Sequence, residues 1–168
     1  MTTKPLSPMS PESTTAVVEV EKPRLPLPTL DDYFISSVKF CVNQAWKQDA
    51  KEEGKFSSKA FVRRGKTDGD RLVVLRVLLD PQKEQWNGPY VFEAEGMANL
   101  SHCAAPGFSA EQVDKHAVMI AAPILFGAIR DMAALISAQL PGPKMILPLV
   151  PPLFLAKDFE LAEEEKSG

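Results

Sequence analysis

The sequence predicts an α+β domain, a four-stranded antiparallel sheet packed with one long and one short C-terminal helix. Three observations carry this reading. Between Tyr33 and Met97, segments with the two-residue period of half-buried strands follow one another across short connections. Beyond residue 110 the apolar period becomes helical, and Leu125, Ile129, Met132 and Ile136 form one stripe. From Pro141 to Pro152 proline interrupts every apolar run, which leaves an extended crossover and a short last helix.

Residues 1–29 hold six prolines and read as a polyproline-like arm in which Ala16–Val20 is apolar enough to dock as an extended edge. The domain proper runs over 30–160. In Tyr33–Asn43, Val38, Phe40 and Val42 alternate with Lys39, Cys41 and Asn43. A charged connection, Lys47–Lys55, leads to a weaker strand at Phe56–Arg64, and Asp68-Gly69 then marks a hairpin whose glycine supplies positive φ. The strongest strand is Arg71–Leu79, with Val73, Leu75, Val77 and Leu79 on one face and Arg76 on the other. After a turn over residues 81–89, Tyr90–Met97 sets Tyr90, Phe92 and Ala94 against Glu93 and Glu95. Ser109 is an N-cap with Gln112 in capping-box position. Pro123 either kinks that helix or opens the next one. The helical pattern runs to Gln139 and ends at Pro141-Gly142-Pro143; a last helix over Leu153–Leu161 precedes an acidic tail, 161–168. Because Ala128, Ala133, Ala134, Leu135 and Ala138 leave the long helix apolar on its second side too, another subunit is expected to cover it.

Composition narrows the function classes. A formal charge of −3, with Arg63-Arg64 and Lys66 as the nearest approach to a basic patch, gives no footprint for nucleic acid. No apolar stretch follows Lys4, so no secretory signal is expected. Ala117–Ile129, broken by Pro123 and Gly127, is short of the roughly 20 residues a bilayer span needs. Stable membrane insertion is therefore not expected, and the cytoplasm is the natural compartment. Cys41 and Cys103 lack CxxC spacing, and His102, Cys103, Asp114 and His116 follow no familiar metal spacing, although Asp114 could donate a carboxylate. With no nucleophile–base pair and no Gly-rich phosphate loop, neither an enzyme nor a cofactor is expected.

The run Val73-Val-Leu-Arg-Val77 resembles the third strand of the SecB export-chaperone family. Ala122-Pro-Ile-Leu-Phe126, with Arg130 following, is similar to the segment that leads into that family's long helix, and Pro143–Val150 lies where the family has its proline-broken crossover. The resemblance covers about residues 30–160. It implies a four-stranded sheet with two helices, a dimer of dimers joined through the long helices at Leu125, Ile129, Met132 and Ile136, and an ATP-independent holdase for protein export. It further implies a polypeptide-binding groove near the crossover, and a sheet face, here Val91, Glu93 and Glu95, that meets the export motor SecA. The first strand departs from the family pattern, because Ser37 and Cys41 stand where the family has acids. That weakens the expectation of a motor contact.

A binder of many unfolded chains needs exposed apolar and aromatic surface, with little polar specificity. The candidates are Tyr33, Phe34 and Phe40 on the first strand, Met145, Leu147, Leu149 and Val150 on the crossover, and Phe154 beyond it; each also has a reading as plain core. The sequence leaves open a general export chaperone, a SecB-like chaperone dedicated to one client such as an antitoxin, and a scaffold domain with one fixed partner.

Overall fold

The computed structural model describes residues 24–47, 53–54, 57–80, 86–140, 142–157 and 159–162. Its elements in chain order are β1 (Thr29–Val42), β2 (Glu53–Gly54), β3 (Ser57–Arg64), β4 (Arg71–Leu79), β5 (Trp86–Asn87), β6 (Tyr90–Ser101), α1 (Ala110–Ser137), α2 (Pro152–Leu155) and β7 (Phe159–Leu161). The main sheet runs β1-β6-β4-β3-β7, and β2 pairs with β5 in a separate two-residue ladder. The fold is α+β, and its four long strands are antiparallel neighbours.

Strand alternation places the core. On β4 Val73, Leu75, Val77 and Leu79 are buried, and on β6 Tyr90, Phe92, Ala94, Ala98 and Leu100 are buried. Against this face α1 lays Val113, Ala117, Val118, Ala121, Ala122, Leu125, Phe126, Ile129 and Ala133. Its alanines let the helix approach the sheet closely. Gly96 does the same from the sheet side: a Cβ there would lie 3.2 Å from Leu125 Cδ2 and 3.3 Å from Ile35 Cδ1. Gly96→Val is therefore expected to cost about 1–3 kcal/mol through overpacking. Urea denaturation would show it as a lower midpoint with an unchanged slope.

Several expectations are corrected. The sheet gains a fifth strand, because β7 pairs parallel to β3 where a helix reaching Leu161 was expected. The last helix is one turn, Pro152–Leu155, since Pro152 starts it and no side chain caps it. The long helix is continuous: its capping box, Ser109 with Gln112, forms as expected and Pro123 lies inside it. Its 28 residues are long and apolar enough to cross a membrane by length and composition alone, more than Ala117–Ile129 suggested. In this fold one side of α1 rests on the sheet, and buried Asp114 sits near its start. The 68–69 turn forms, yet Gly69 is not among the positive-φ residues. Asp70 N donates to Thr67 O (3.1 Å), Gly65 N donates to Asp70 O (3.0 Å), and Gly69 O accepts from Cys103 N (2.9 Å). β1 begins at Thr29, and just before it Pro28 is buried and Leu25 packs on the core, so the last residues of the expected arm belong to the folded domain. Ala16–Val20 and residues 163–168 lie outside the described residues.

Candidate functional site

The crossover after α1 is anchored at two levels. Ser137, buried at the helix end, donates its Oγ to Ala134 O (3.2 Å) and accepts from Met145 N (2.8 Å). Met145 and Leu147 then turn into the core, and Leu155 and Ala156 follow from α2. Extended backbone alternates its side chains, so the residues between point outward. Ile146 is 74% exposed and Leu149 83%, and on the helical turn α2 Leu153 is 66% and Phe154 59% exposed. Val150 is half-buried against the core. The crossover thus presents an apolar ridge whose backbone is fixed by its own inward-facing residues.

Where the crossover leaves α1 there is a hollow of about 350 Å³, lined by Val42, Asn43, Gln44, Trp46, Pro89, Tyr90, Gly142 and Pro143. Asn43 holds the turn by donating Nδ2 to Gly88 O (2.8 Å). An aromatic cluster adjoins it: Phe40 lies 5.0 Å from Tyr90 and 5.8 Å from Phe92, centroid to centroid. Gly142 rests on Tyr90, since a Cβ there would come within 2.6 Å of Tyr90 Oη. Among the described residues, Trp46 Nε1 is buried without a hydrogen-bond partner. A wall that mixes aromatic rings with the amides of Asn43 and Gln44, and carries an indole donor, suits extended polypeptide, whose carbonyls can accept from it.

The expected site residues separate. Phe40 belongs to the aromatic cluster, and Leu149, Val150 and Phe154 to the ridge or its flank. Met145 and Leu147 face the chain's own core and anchor the ridge. Tyr33 and Phe34 are half-exposed opposite Ala98 and Met97, whereas Phe40 pairs with Phe92. At about 3.3 Å per residue that is roughly 20 Å along the strand, so the two aromatics lie away from the hollow. Trp46, Ile146 and Leu153 were missed. An aromatic at the edge of a charged connection was the available signal for Trp46.

Val91, Glu93 and Glu95 lie on the open face of β6, as the period requires. Glu95 is already engaged: it accepts from Arg76 Nη2 (2.7 Å) and from Ser36 Oγ (3.0 Å), and Arg76 stands over the Phe61 ring. On α1, Leu125 and Ile129 are fully buried against the sheet, while Met132 and Ile136 flank them half-buried. The outward positions are Ile124 and Leu135.

A larger hollow of about 500 Å³ at the opposite end is lined by Arg64, Thr67, Asp68, Arg71, Ala105 and Phe108, among others. Its two arginines are matched by Asp114. Asp114 Oδ2 accepts from Arg64 Nε (3.1 Å) and Nη2 (2.8 Å), and its Oδ1 accepts from Arg71 Nε. Arg71 Nη1 donates to the carbonyls of Asp68 and Asp70. The Asp114 side chain raises the Arg64 pKa, first through the hydrogen bond and then through its charge. With both carboxylate oxygens taken, this is a structural joint between α1 and the β3–β4 hairpin. Among the described residues, no three of His, Cys, Asp and Glu gather as metal ligands.

Burial pushes the Cys103 thiol above its ordinary pKa, while Cys41 is exposed. An alkylating reagent is therefore expected to modify Cys41 in the native protein and Cys103 only after unfolding, as peptide mapping would show.

No protein-family model matches the sequence, and no curated protein does either. Among solved structures the fold is similar to that of a SecB-like chaperone from Mycobacterium tuberculosis, in complex with a ChAD peptide from the HigA1 antitoxin. The two share 15% identity over 73% of this chain and 87% of that chain, with a TM-score of 0.54. A protein of unknown function from Streptococcus agalactiae aligns over 72% of this chain and 98% of its own at 14% identity, with a TM-score of 0.36. The chain therefore has a SecB-like α+β fold.

Proposed function

We propose that this protein is an ATP-independent holdase that binds unfolded polypeptide along the crossover, in the cytoplasm. The observation that carries the reading is the anchored apolar ridge Ile146, Leu149, Leu153 and Phe154, on the crossover whose first residues, Gly142 and Pro143, line the hollow of Trp46 and Tyr90. A fold shared with a chaperone that is seen holding an antitoxin peptide supports it. Covering one large apolar side chain is worth about 1.5–3 kcal/mol, so four or five client contacts supply ample gross energy. Ordering the client removes much of it, and net affinity on the order of micromolar follows.

Of the two chaperone variants, service to one dedicated client is favoured over general export. Ser37 and Cys41 supply no acids on the first strand, and Glu95 is held by Arg76. A pull-down separates the two: retention of SecA supports export, and retention of a single client without SecA supports the dedicated role. Assembly into a homo-oligomer, dimer or dimer of dimers, is part of the proposal, with Ile124 and Leu135 in place of Leu125 and Ile129 at the contact.

The site is tested by Ile146→Ser with Leu149→Ser, two outward residues on either side of Leu147-Pro148. Client binding is expected to weaken at least tenfold while circular dichroism and melting stay as in wild type. Unchanged binding would remove the ridge from the site. Leu147→Ser serves as the contrast: a buried leucine exchanged for a hydroxyl is expected to lower stability by about 2–5 kcal/mol.

A further inference from the structure

The β3–β4 hairpin closes in a cluster of cations, at the end of the sheet opposite Tyr90 and the start of the crossover. A shallow hollow of about 410 Å³ there is lined by Arg63, Arg64, Gly65, Lys66 and Leu72. All three cations are exposed. Arg64 is matched by Asp114, but among the described residues Arg63 and Lys66 have no ion-pair partner. The acids of the hairpin turn are directed elsewhere. Asp70 Oδ2 accepts from Thr67 N (3.3 Å), and Asp68 lines the larger hollow beside α1.

We propose that the chain's own acidic segment Glu163–Glu165 docks in this hollow on Arg63 and Lys66, as a clasp that holds β7 on the sheet. The direction of β7 delivers the segment. β7 runs parallel to β3 with Leu161 level with Val62, and Ala162 N donates to Val62 O (2.9 Å), so the chain leaves Ala162 heading for the hairpin tip. The residues that follow are Glu163-Glu164-Glu165-Lys166. Lys66 is four residues beyond Val62, at most about 13 Å of extended chain, and Glu165 is four beyond Leu161. Charge and reach therefore agree. β7 has need of such a clasp. Leu161 is exposed, and the ion pair Lys59–Glu160 joins side chains that are each more than half exposed, so neither holds the strand strongly. Because β7 follows α2, the clasp also ties down the far end of the ridge at Leu153 and Phe154. The contact is made by side-chain charge at the hairpin tip. It involves no client and stands independently of the proposed function.

The test is zero-length carbodiimide crosslinking of the full wild-type chain, followed by peptide mapping. An equal mixture of isotope-labelled and unlabelled protein separates links within one chain from links between chains. At low salt Lys66 is expected to join Glu163, Glu164 or Glu165 within one chain, at least tenfold more often than the exposed Lys39 and Lys144 do. The yield should fall at least fivefold at about 0.5 M salt, where screening weakens exposed pairs. Hydrogen exchange gives a second reading. Neutralising the segment as Glu163→Gln/Glu164→Gln/Glu165→Gln should speed exchange of the Ala162 amide at least tenfold and leave the β4 amides paired with β6 unchanged. Links between chains would seat the segment on a second copy and overturn the proposal. Equal yields at the three lysines, a yield indifferent to salt, or an Ala162 amide unmoved by neutralisation would overturn it as well.

Discussion

Asp114→Ala is expected to lower folding stability by about 3–5 kcal/mol, because it strands a buried guanidinium. Arg71 is almost fully buried, and its Nε donates to the Asp114 carboxylate. Removing the carboxylate leaves that charge, among the described residues, with the carbonyls of Asp68 and Asp70. The same change unties α1 from β3 and β4 at once. For a chain of this size the loss corresponds to a fall in melting temperature of roughly 10 °C. Arg64→Ala should cost about 1 kcal/mol or less, since that side chain is half exposed and water can replace it. Denaturant titration of the two variants decides the matter. Equal, small losses would show that Arg71 does not depend on the pair.

Ile129→Asp and Leu135→Asp should fail in different ways although both lie on the last turns of one helix. Ile129 is fully buried against the sheet, so a carboxylate there has no partner and no water. A buried unpaired charge costs several kcal/mol, a large share of the 5–15 kcal/mol typical of a domain, and the chain should not fold. Leu135 is 65% exposed on the outer side of the helix. Its replacement should keep the circular dichroism of wild type and release an 18.4 kDa protomer from the proposed oligomer, as sedimentation would show. A wild-type protein that already sediments as a single 18.4 kDa species would contradict the oligomer.

β4 and β6 were legible because their period is strict and their buried faces fall on the residues the alternation selects, whereas on β1 the expected apolar face fails, with Val38 and Val42 exposed and only Phe40 half-buried. The capping box at Ser109 and Gln112 was legible for a similar reason, since it depends on local spacing alone. What failed depends on contacts far apart in sequence. Nothing local marks Phe159–Leu161 as a strand, because it exists only through pairing with Ala60–Val62. Pro123 reads as a break, but a long helix held along one side by a sheet tolerates a missing donor. The α1 stripe was identified correctly as apolar, yet period alone does not say which of two apolar faces meets the sheet. For the site, the proline-broken run was recognisable as a crossover. Its inward and outward residues were not, because that phase is set by where Met145 and Leu147 find the core and by the Ser137–Met145 hydrogen bond.

The most direct test of the holdase reading is the binding of a chemically unfolded, fluorescently labelled polypeptide to the wild-type protein without nucleotide. Anisotropy is measured as the protein is raised through the micromolar range, and aggregation of the same client is followed by light scattering. The account predicts saturable binding on the order of micromolar, with scattering suppressed over the same range and unchanged by added ATP. Anisotropy that stays at its starting value up to about a hundred micromolar, with scattering unaffected, would contradict it.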